Sequence, residues 1–426
     1  MTATRRLLYV LYALAVLQLW SCSSDDAVDN GGQSEAEVQM MFDVSAEEAT
    51  TRGEAFTSTS FFKSGRTFRL WGWMTEKINE TTNRTVPLIS DFNSNPLSEI
   101  DVTYNAAVGR IPASWITVQT FYWPRPKYRA DFFAIYPAET TEADTPFTIA
   151  FSETTKTITY ASSAPYNGNT DLMYATYSDQ RPSRDNSEKE RTVYLRFYHA
   201  MAQILFFGQL STEFQTLGWD IEVKKIEIHN MNGAGVFTLK SAYEDLGSAY
   251  GIEEGKERRG TATAMSFVPA SPSKLTTYTP AMNTTGEAAH PVNPVLSGSQ
   301  QKQLTSPTDV LMVLPQTLTA WIPTASASAT PSTNDGYIAV ELRAIAHDGE
   351  TTTYPLKTDG SYITVYAPFC SPIDKTDPDN PVNKGFEGGK IYKYTLTLGS
   401  TVSMTAAITP WTTETITPEK PLYPNH

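Results

Sequence analysis

Residues 38–44 read VQMMFDV. Val38, Met40, Phe42 and Val44 fall on one side of an extended chain, and Gln39, Met41 and Asp43 on the other. Successive side chains of a strand point to opposite faces, so this alternation predicts a strand with one buried face. Alternation, or short apolar runs rich in β-branched and aromatic residues, recurs at 67–75, 101–108, 115–123, 128–136, 147–151, 157–161 and 171–177. It returns at 263–268, 309–314, 337–347, 352–356, 391–398 and 402–408. Helical periodicity is scarce, and 27 Pro and 24 Gly punctuate the runs. The pattern predicts a mostly β chain of antiparallel strands.

Three stretches break the simple alternation. TVYLRFYHAMAQILFFGQLS, 192–211, is almost continuously apolar and reads as one long or bent strand buried on both faces. DIEVKKIEIHN shifts phase at Lys224 and Lys225, as a β-bulge would make it do. MNGAGVFTL places Asn232-Gly233 where a hairpin turn is expected. The connector SDQRPSRDNSEKER, 178–191, is the most charged and least apolar stretch of the first half and marks a domain boundary. Two antiparallel β-sandwiches of different size are the natural architecture, over 53–190 and 191–416, with an extended tail at 417–426.

The first 21 residues stand apart from the fold. Arg5 and Arg6 precede an apolar run, Leu7–Leu19, that is short for a membrane span. LWSC follows and resembles the lipid-attachment box of bacterial lipoproteins, with Cys22 as the lipidated residue, although Trp20 stands where a small residue is usual. Ordinary secretory cleavage nearby is the alternative. Asp25 and Asp26 resemble the acidic export tag of surface lipoproteins in Bacteroidetes-type cells. The other cysteine, Cys370, reads as a small buried hydrophobe, so a lipidated chain has no internal disulfide.

The net charge is −13, and removing Arg5 and Arg6 with the leader takes it to −15. That argues against nucleic acid and against electrostatic adhesion to anionic membranes, leaving acyl chains to supply membrane attachment. The five histidines show no metal-binding spacing, and neither a G-x-S-x-G motif nor a phosphate-binding loop is present. Asp374, Asp377 and Asp379 share a loop that lacks the spacing of a calcium loop and reads as solvated. In FRLWGWM, Phe68, Leu70 and Met74 share one face and Trp71 and Trp73 the other, while Tyr122 and Trp123 follow later. Exposed, such rings would stack on sugars; the plainer reading is core plus a covered face. Nothing here calls for an enzyme, a cofactor or a metal.

The lipid box, an early strand ending at the lone Arg52, FRLWGWM, YWPRPKYRADFFAIYP, NTDLMYATYSD, VYLRFYHAMAQILF and the C-terminal YKYTLTL…ITPW occur in one order. Together they resemble the fimbrillin family, pilus subunits of oral and gut Gram-negative anaerobes, from Cys22 to about Trp411. The resemblance implies two tandem transthyretin-like β-sandwiches, export as an outer-membrane lipoprotein and cleavage by an arginine-specific protease. It implies polymerisation with other pilus subunits by strand donation, and a role in adhesion and biofilm toward a host protein or glycan.

Carried onto this chain, residues 22–52 form the removable segment, Arg52–Gly53 is the cleaved bond, and Val38, Met40, Phe42 and Val44 line the removed strand. VSMTAAI near the C-terminus repeats that pattern with Val402, Met404, Ala406 and Ile408, which makes it the candidate donor. Two readings of it stand: a donor, or a strand that pairs within its own domain. The rival for the whole chain is a surface lipoprotein that binds glycans and never polymerises.

Overall fold

In β2 (Thr67–Lys77) Phe68 and Leu70 enter one core and Trp71 enters another. That strand sits inside a sheet covered on both faces. The protein is known from a computed structural model. It describes residues 40–46, 65–77, 83–87, 100–105, 107, 114–122, 128–138, 147–152, 157–162, 171–180, 192–240, 265–271, 273–286, 292–322, 331, 334–345, 360–371, 373–374, 382–383, 385–399 and 402–410. All of them belong to one compact unit, Val38–His426.

The first sheet contains β1 (Met41–Ala46), β2, β3 (Asn83–Pro87), β4 (Ile100–Asn105), β5 (Ser114–Thr117), β6 (Tyr128–Tyr136), β9 (Met173–Gln180) and β10 (Thr192–His199). Its order is β1-β10-β9-β6-β2-β4-β5, with β3 also on β2. Every pairing in it is antiparallel except β1 with β10, which is parallel. A second sheet runs β14-β13-β8-β7: Ser266–Pro269, Gly235–Lys240, Thr157–Ser162 and Phe147–Ser152.

A third sheet runs β17 (Lys302–Gln303), β11 (Ala202–Leu210), β23 (Lys390–Leu398), β24 (Val402–Pro410), with β18 (Leu311–Val313) on β11. The fourth runs β15 (Leu275–Tyr278), β12 (Asp220–Asn232), β19 (Tyr337–Ile345), β20 (Ile363–Pro368), with β16 (Val295–Leu296) on β12. A small ribbon pairs β21 (Ile373–Asp374) with β22 (Val382–Asn383). The one described helix, α1 (Thr212–Thr216), is capped by Ser211, whose Oγ accepts the Phe214 N–H at 3.3 Å.

Two apolar clusters fill the unit. One lies inside the first sheet, around Phe68, Trp115, Phe132 and Phe197, with Phe68 edge-on to Phe197 at 5.1 Å. The other fills the second half around Phe206, Phe369 and Tyr394, whose rings stand 4.8–6.1 Å apart. Trp71, Phe133, Ile135, Leu172 and Tyr174 present the first sheet's other face to this second cluster.

The expected single strand over 192–211 is instead two strands in different sheets. The chain turns at Ala200–Met201, where Ala200 N–H donates to Leu172 C=O at 2.8 Å and Gly389 N–H donates to Met201 C=O at 2.9 Å. Just before the turn, His199 Nδ1 pairs with Asp171 Oδ2 at 2.6 Å, both side chains buried. A buried polar pair needs its partner in place, which ties the end of β10 to the start of β9. Burial on both faces belongs to β11. β10 thus pairs in the first sheet and β11 in the third, while β7 and β8 pair with β13 in the second sheet.

The bulge is where the phase shift put it, with the β12–β19 register slipping between Val223 and Lys225. Asn232-Gly233 is not a hairpin turn, because β12 and β13 lie in different sheets. The Asn232 side chain instead accepts the Ala234 N–H at 3.2 Å, and Gln316 bonds both the Asn232 N–H and C=O, at 2.7 and 3.0 Å. That redirects the backbone into the second sheet. Gly235 then passes so close to β14 that an added Cβ would lie 2.3 Å from the Phe267 ring. The expected strand at 352–356 lies outside the described residues.

Candidate functional site: two sheet edges

β1 is an end strand. Its parallel ladder runs from Met41↔Thr192 to Ala46↔Phe197. Beyond the ladder, Met40 N–H donates to Phe121 C=O at 2.8 Å, and β1 lies against β5. The strand therefore closes the gap between the two ends of the first sheet. Met40 and Val44 are buried and Phe42 is half-buried, all three packed on the cluster that holds Val193, Leu195 and Phe197 of β10. Filling that slot with three apolar side chains contributes about 5–9 kcal/mol gross, at roughly 1.5–3 kcal/mol each and as an upper bound. Emptied, it is an apolar groove beside an unpaired strand edge, the kind of surface that templates another strand.

β24 is the second edge. It pairs antiparallel with β23 from Leu398↔Val402 to Lys390↔Pro410. Val402, Met404, Ala406 and Ile408 take the register positions opposite Leu398, Leu396, Tyr394 and Tyr392, all four of them buried. The candidate donor pairs with β23 of its own chain in this structure. Tyr394 fixes this sheet from inside: its hydroxyl donates to Cys370 C=O at 2.9 Å, and burial pushes its pKa well up. Burial also pushes Tyr392 up, to about 12.

Cys22, Val38, Arg52, Gly53, Trp123, Asp377 and Asp379 lie outside the described residues. Asp374 stands in β21, and no cluster able to hold a metal occurs among the described residues. Trp71 is buried in the second cluster, so it offers no ring to a sugar. No described helix is long and apolar enough to cross a membrane.

Sequence reasoning missed the polar lattice on the outside of the fourth sheet. Glu222 accepts from Tyr362 Oη at 2.6 Å, Asn293 Nδ2 at 2.7 Å and Arg343 Nε at 2.7 Å, with Arg343 Nη2 at 2.6 Å. Burial works to raise the Glu222 pKa, but these hydrogen bonds and the guanidinium charge outweigh it and hold the carboxyl below its usual range. The Tyr362 ring carries Lys224 at 4.9 Å and Arg343 at 4.8 Å. At the other end of the sheet His229 stacks on Tyr337 at 4.5 Å, and burial lowers its pKa, partly offset by Glu227. The signal was the alternating charge of β12, visible only once β19 and β20 lie beside it.

The described residues form a mostly β unit with one strand closing a sheet and another ending a hairpin at a sheet edge. Residues 51–411 match the family model described as fimbrillin-like, and the chain belongs to that family. Its members are structural proteins of fimbriae and not enzymes, and membership implies association with other fimbrial subunits at the cell surface. A fimbrial protein from Bacteroides vulgatus is similar in structure, at 17% identity over 88% of this chain and 99% of that one, with a TM-score of 0.52. The tip fimbrial protein Mfa3 from Porphyromonas gingivalis, with C-terminal truncation, matches at 11% identity over 88% of this chain and 100% of that one, with a TM-score of 0.35. No curated protein matches.

Proposed function

We propose that this chain is a fimbrial subunit or a tip or accessory component, exported as an outer-membrane lipoprotein on Cys22 and activated by cleavage at Arg52–Gly53. Cleavage frees β1, and a strand of another subunit refills the slot; the fibre then serves adhesion and biofilm. The two-sandwich, transthyretin-like organisation implied by the family resemblance is part of the same reading.

One observation carries it. β1 closes the first sheet through a parallel ladder and three packed side chains, and its only covalent route to β2 is the segment that contains Arg52. A single cut there would separate the lipid anchor and the strand from the body together. Residues 22–52 hold eight acids and one arginine, so they carry −7 and leave a body of −8 from the −15 of the chain without its leader. β24 supplies the candidate replacement, with the same alternation.

The test is Arg52→Ala in cells that assemble fibres. The expected product is a full-length lipidated monomer with a blocked Cys22, absent from fibres, while the wild-type fibre protein begins at Gly53. Fibres built from the uncleaved variant would sink the reading.

A further inference from the structure

Toward Glu222 the outer face of the fourth sheet is charged, but its other end is aromatic. There the register sets His229 of β12 beside Tyr337 of β19, and Tyr337 beside Pro368 of β20. Their neighbours Ile228, Ile338 and Ala367 enter the second apolar cluster, so this row faces out. Four rings gather on it. His229 stacks on Tyr337 at 4.5 Å, and Trp321 and Tyr366 stand edge-on to Tyr337 at 6.2 and 6.0 Å. Tyr337 and Trp321 are buried, while His229 and Tyr366 are half-buried. Ile322, next to Trp321, is 76% exposed, and Leu275 of β15 is 39% exposed.

The end of β24 lies within reach of these rings. β20 and β24 touch. Tyr394, opposite Ala406 of β24, donates to the C=O of Cys370, just past the end of β20. Pro410 ends β24 about 13 Å along the strand from Ala406. From there residues 411–417 reach up to about 23 Å, enough to round β20 to the outer face. Residues 411–426 lie outside the described residues, and 418–424 read PEKPLYP, with a proline at every third position. Such a sequence favours the polyproline-II conformation, which has three residues per turn and a rise of about 3.1 Å per residue. Pro418, Pro421 and Pro424 then form one ridge, with about 9.3 Å between neighbours. Alternate strands of a sheet lie about 9.6 Å apart, and four strands span about 19 Å, the length of that ridge. Charge permits the contact. Glu222, Glu227 and Glu341 are balanced on this face by Lys224, Lys225 and Arg343. Residues 411–426 hold two glutamates and one lysine, so a segment of −1 meets a neutral face in a chain of −13.

Proline-rich segments dock in this conformation on surfaces lined with aromatic rings, where little chain entropy is left to lose. We propose that the chain's own residues 418–424 lie across this ring cluster as a polyproline-II strand and tie the end of β24 to β20. The tail of a second copy has the same chemistry but arrives from solution. The chain's own tail starts beside the rings and gains an effective concentration on the order of millimolar. Docked, it adds a second hold on β24 besides the ladder to β23.

The test is anisotropy of a fluorescein-labelled synthetic peptide of residues 411–426. It is titrated with the full chain and with the full chain carrying Pro418→Gly, Pro421→Gly and Pro424→Gly, whose tail has lost the ridge. β1 fills its slot in both proteins, so strand donation adds nothing to the signal. The triple variant is expected to bind the peptide, and wild type to bind it at least about tenfold more weakly because its own tail competes. A peptide with the same three prolines replaced by glycine should not bind. In the triple variant, Ile322→Asp should weaken binding about tenfold by setting a charge beside the rings, with an unchanged thermal midpoint to show that it is folded. Tyr366→Ala is the second probe and should do the same. A triple variant that ignores the peptide would overturn the inference. Equal binding by wild type would also overturn it, because the rings would then be open to another chain's tail. So would a glycine peptide that binds as well, or binding that neither Ile322→Asp nor Tyr366→Ala weakens.

Discussion

β1 and β24 both end sheets, but they are attached by opposite means. β24 follows its partner directly: only residues 399–401 separate it from β23, and the antiparallel ladder runs the whole strand. β1 pairs parallel with a strand that begins at Thr192, so its contacts close a far larger loop. Loop-closure entropy and non-local pairing make such a strand a late addition to a sheet that is otherwise built. β10 keeps β9 beside it, and β23 keeps β11 along a parallel ladder from Gln203 to Leu210. Either edge strand could leave without dissolving its sheet. What differs is the tether. β24 is held close by its hairpin, whereas β1 is held by its parallel ladder and by burial and is joined to the rest through one segment. The socket is therefore best sought at β1, where a cut would be irreversible.

The largest test removes β1. A chain beginning at Gly53 loses the burial of Met40, Phe42 and Val44 and should be less stable by about 5–9 kcal/mol at most, read as a fall in the thermal midpoint. A synthetic peptide of residues 38–46, added in excess, should restore the midpoint by mass action. The comparison sharpens with a peptide of residues 402–410. Rescue by that strand is expected if it fits the β1 slot, and its Met404→Asp version should fail because it would bury an unpaired charge. A midpoint that ignores the loss of β1 would break the comparison, since burial would then not be what holds the strand.

Much of this architecture was legible in the alternation. β2, β6, β12, β19 and β23 stand where period-two runs placed them, and the double lysine announced its bulge. Failures occurred where two sheets share one stretch of chain. VYLRFYHAMAQILF looks continuous because β10 is buried in one core and β11 in another, and apolarity does not record a change of partner. Asn232-Gly233 has the composition of a hairpin, but the tie to Gln316, remote in sequence, decides where the next strand goes. Trp71 is buried, as the plainer reading of FRLWGWM as core plus a covered face expects. For the edges, the inward side of β1 was readable from Met40 and Val44, but its parallel pairing with β10 was not, because register with a distant strand has no local signature.

A smaller effect separates both edges from the interior of the fourth sheet. No charge holds the described core side chains of β1, whereas β12 and β19 are joined by Glu222 and Arg343. Glu222→Gln should cost about 1–3 kcal/mol at neutral pH, discounted because Arg343 is partly exposed. The folded-state pKa of Glu222 is depressed, so the stability it lends is present above its unfolded value of 4.5 and is lost as pH falls through the lowered folded value. Wild type should lose stability through that acidic window more steeply than the Gln variant, in urea midpoints measured at a series of pH values. The seating of β1, followed by hydrogen exchange of Phe42 and Val44, should show no matching step there. Equal acid slopes for both proteins would remove Glu222 from the account.

The smallest effect tests the tethers themselves. Six Gly-Ser residues inserted after Gly399 lengthen the hairpin connection from three residues to nine, and loop closure then costs about 1 kcal/mol more. The same six residues inserted after Arg52 lengthen a link to β2 that is already 20 residues long, and the change should stay near roughly 0.2 kcal/mol. Urea midpoints of the two insertion variants, with amide exchange of β24 as the local readout, measure the difference. β24 is expected to exchange faster in the first variant and β1 to remain as protected as before in the second. If the insertion after Arg52 proved the more damaging, the link to β1 would be under tension or packed in place. β1 would then be held by its tether as well as by its ladder and side chains, and a single cut at Arg52–Gly53 would do more than release a strand that pairing and burial retain.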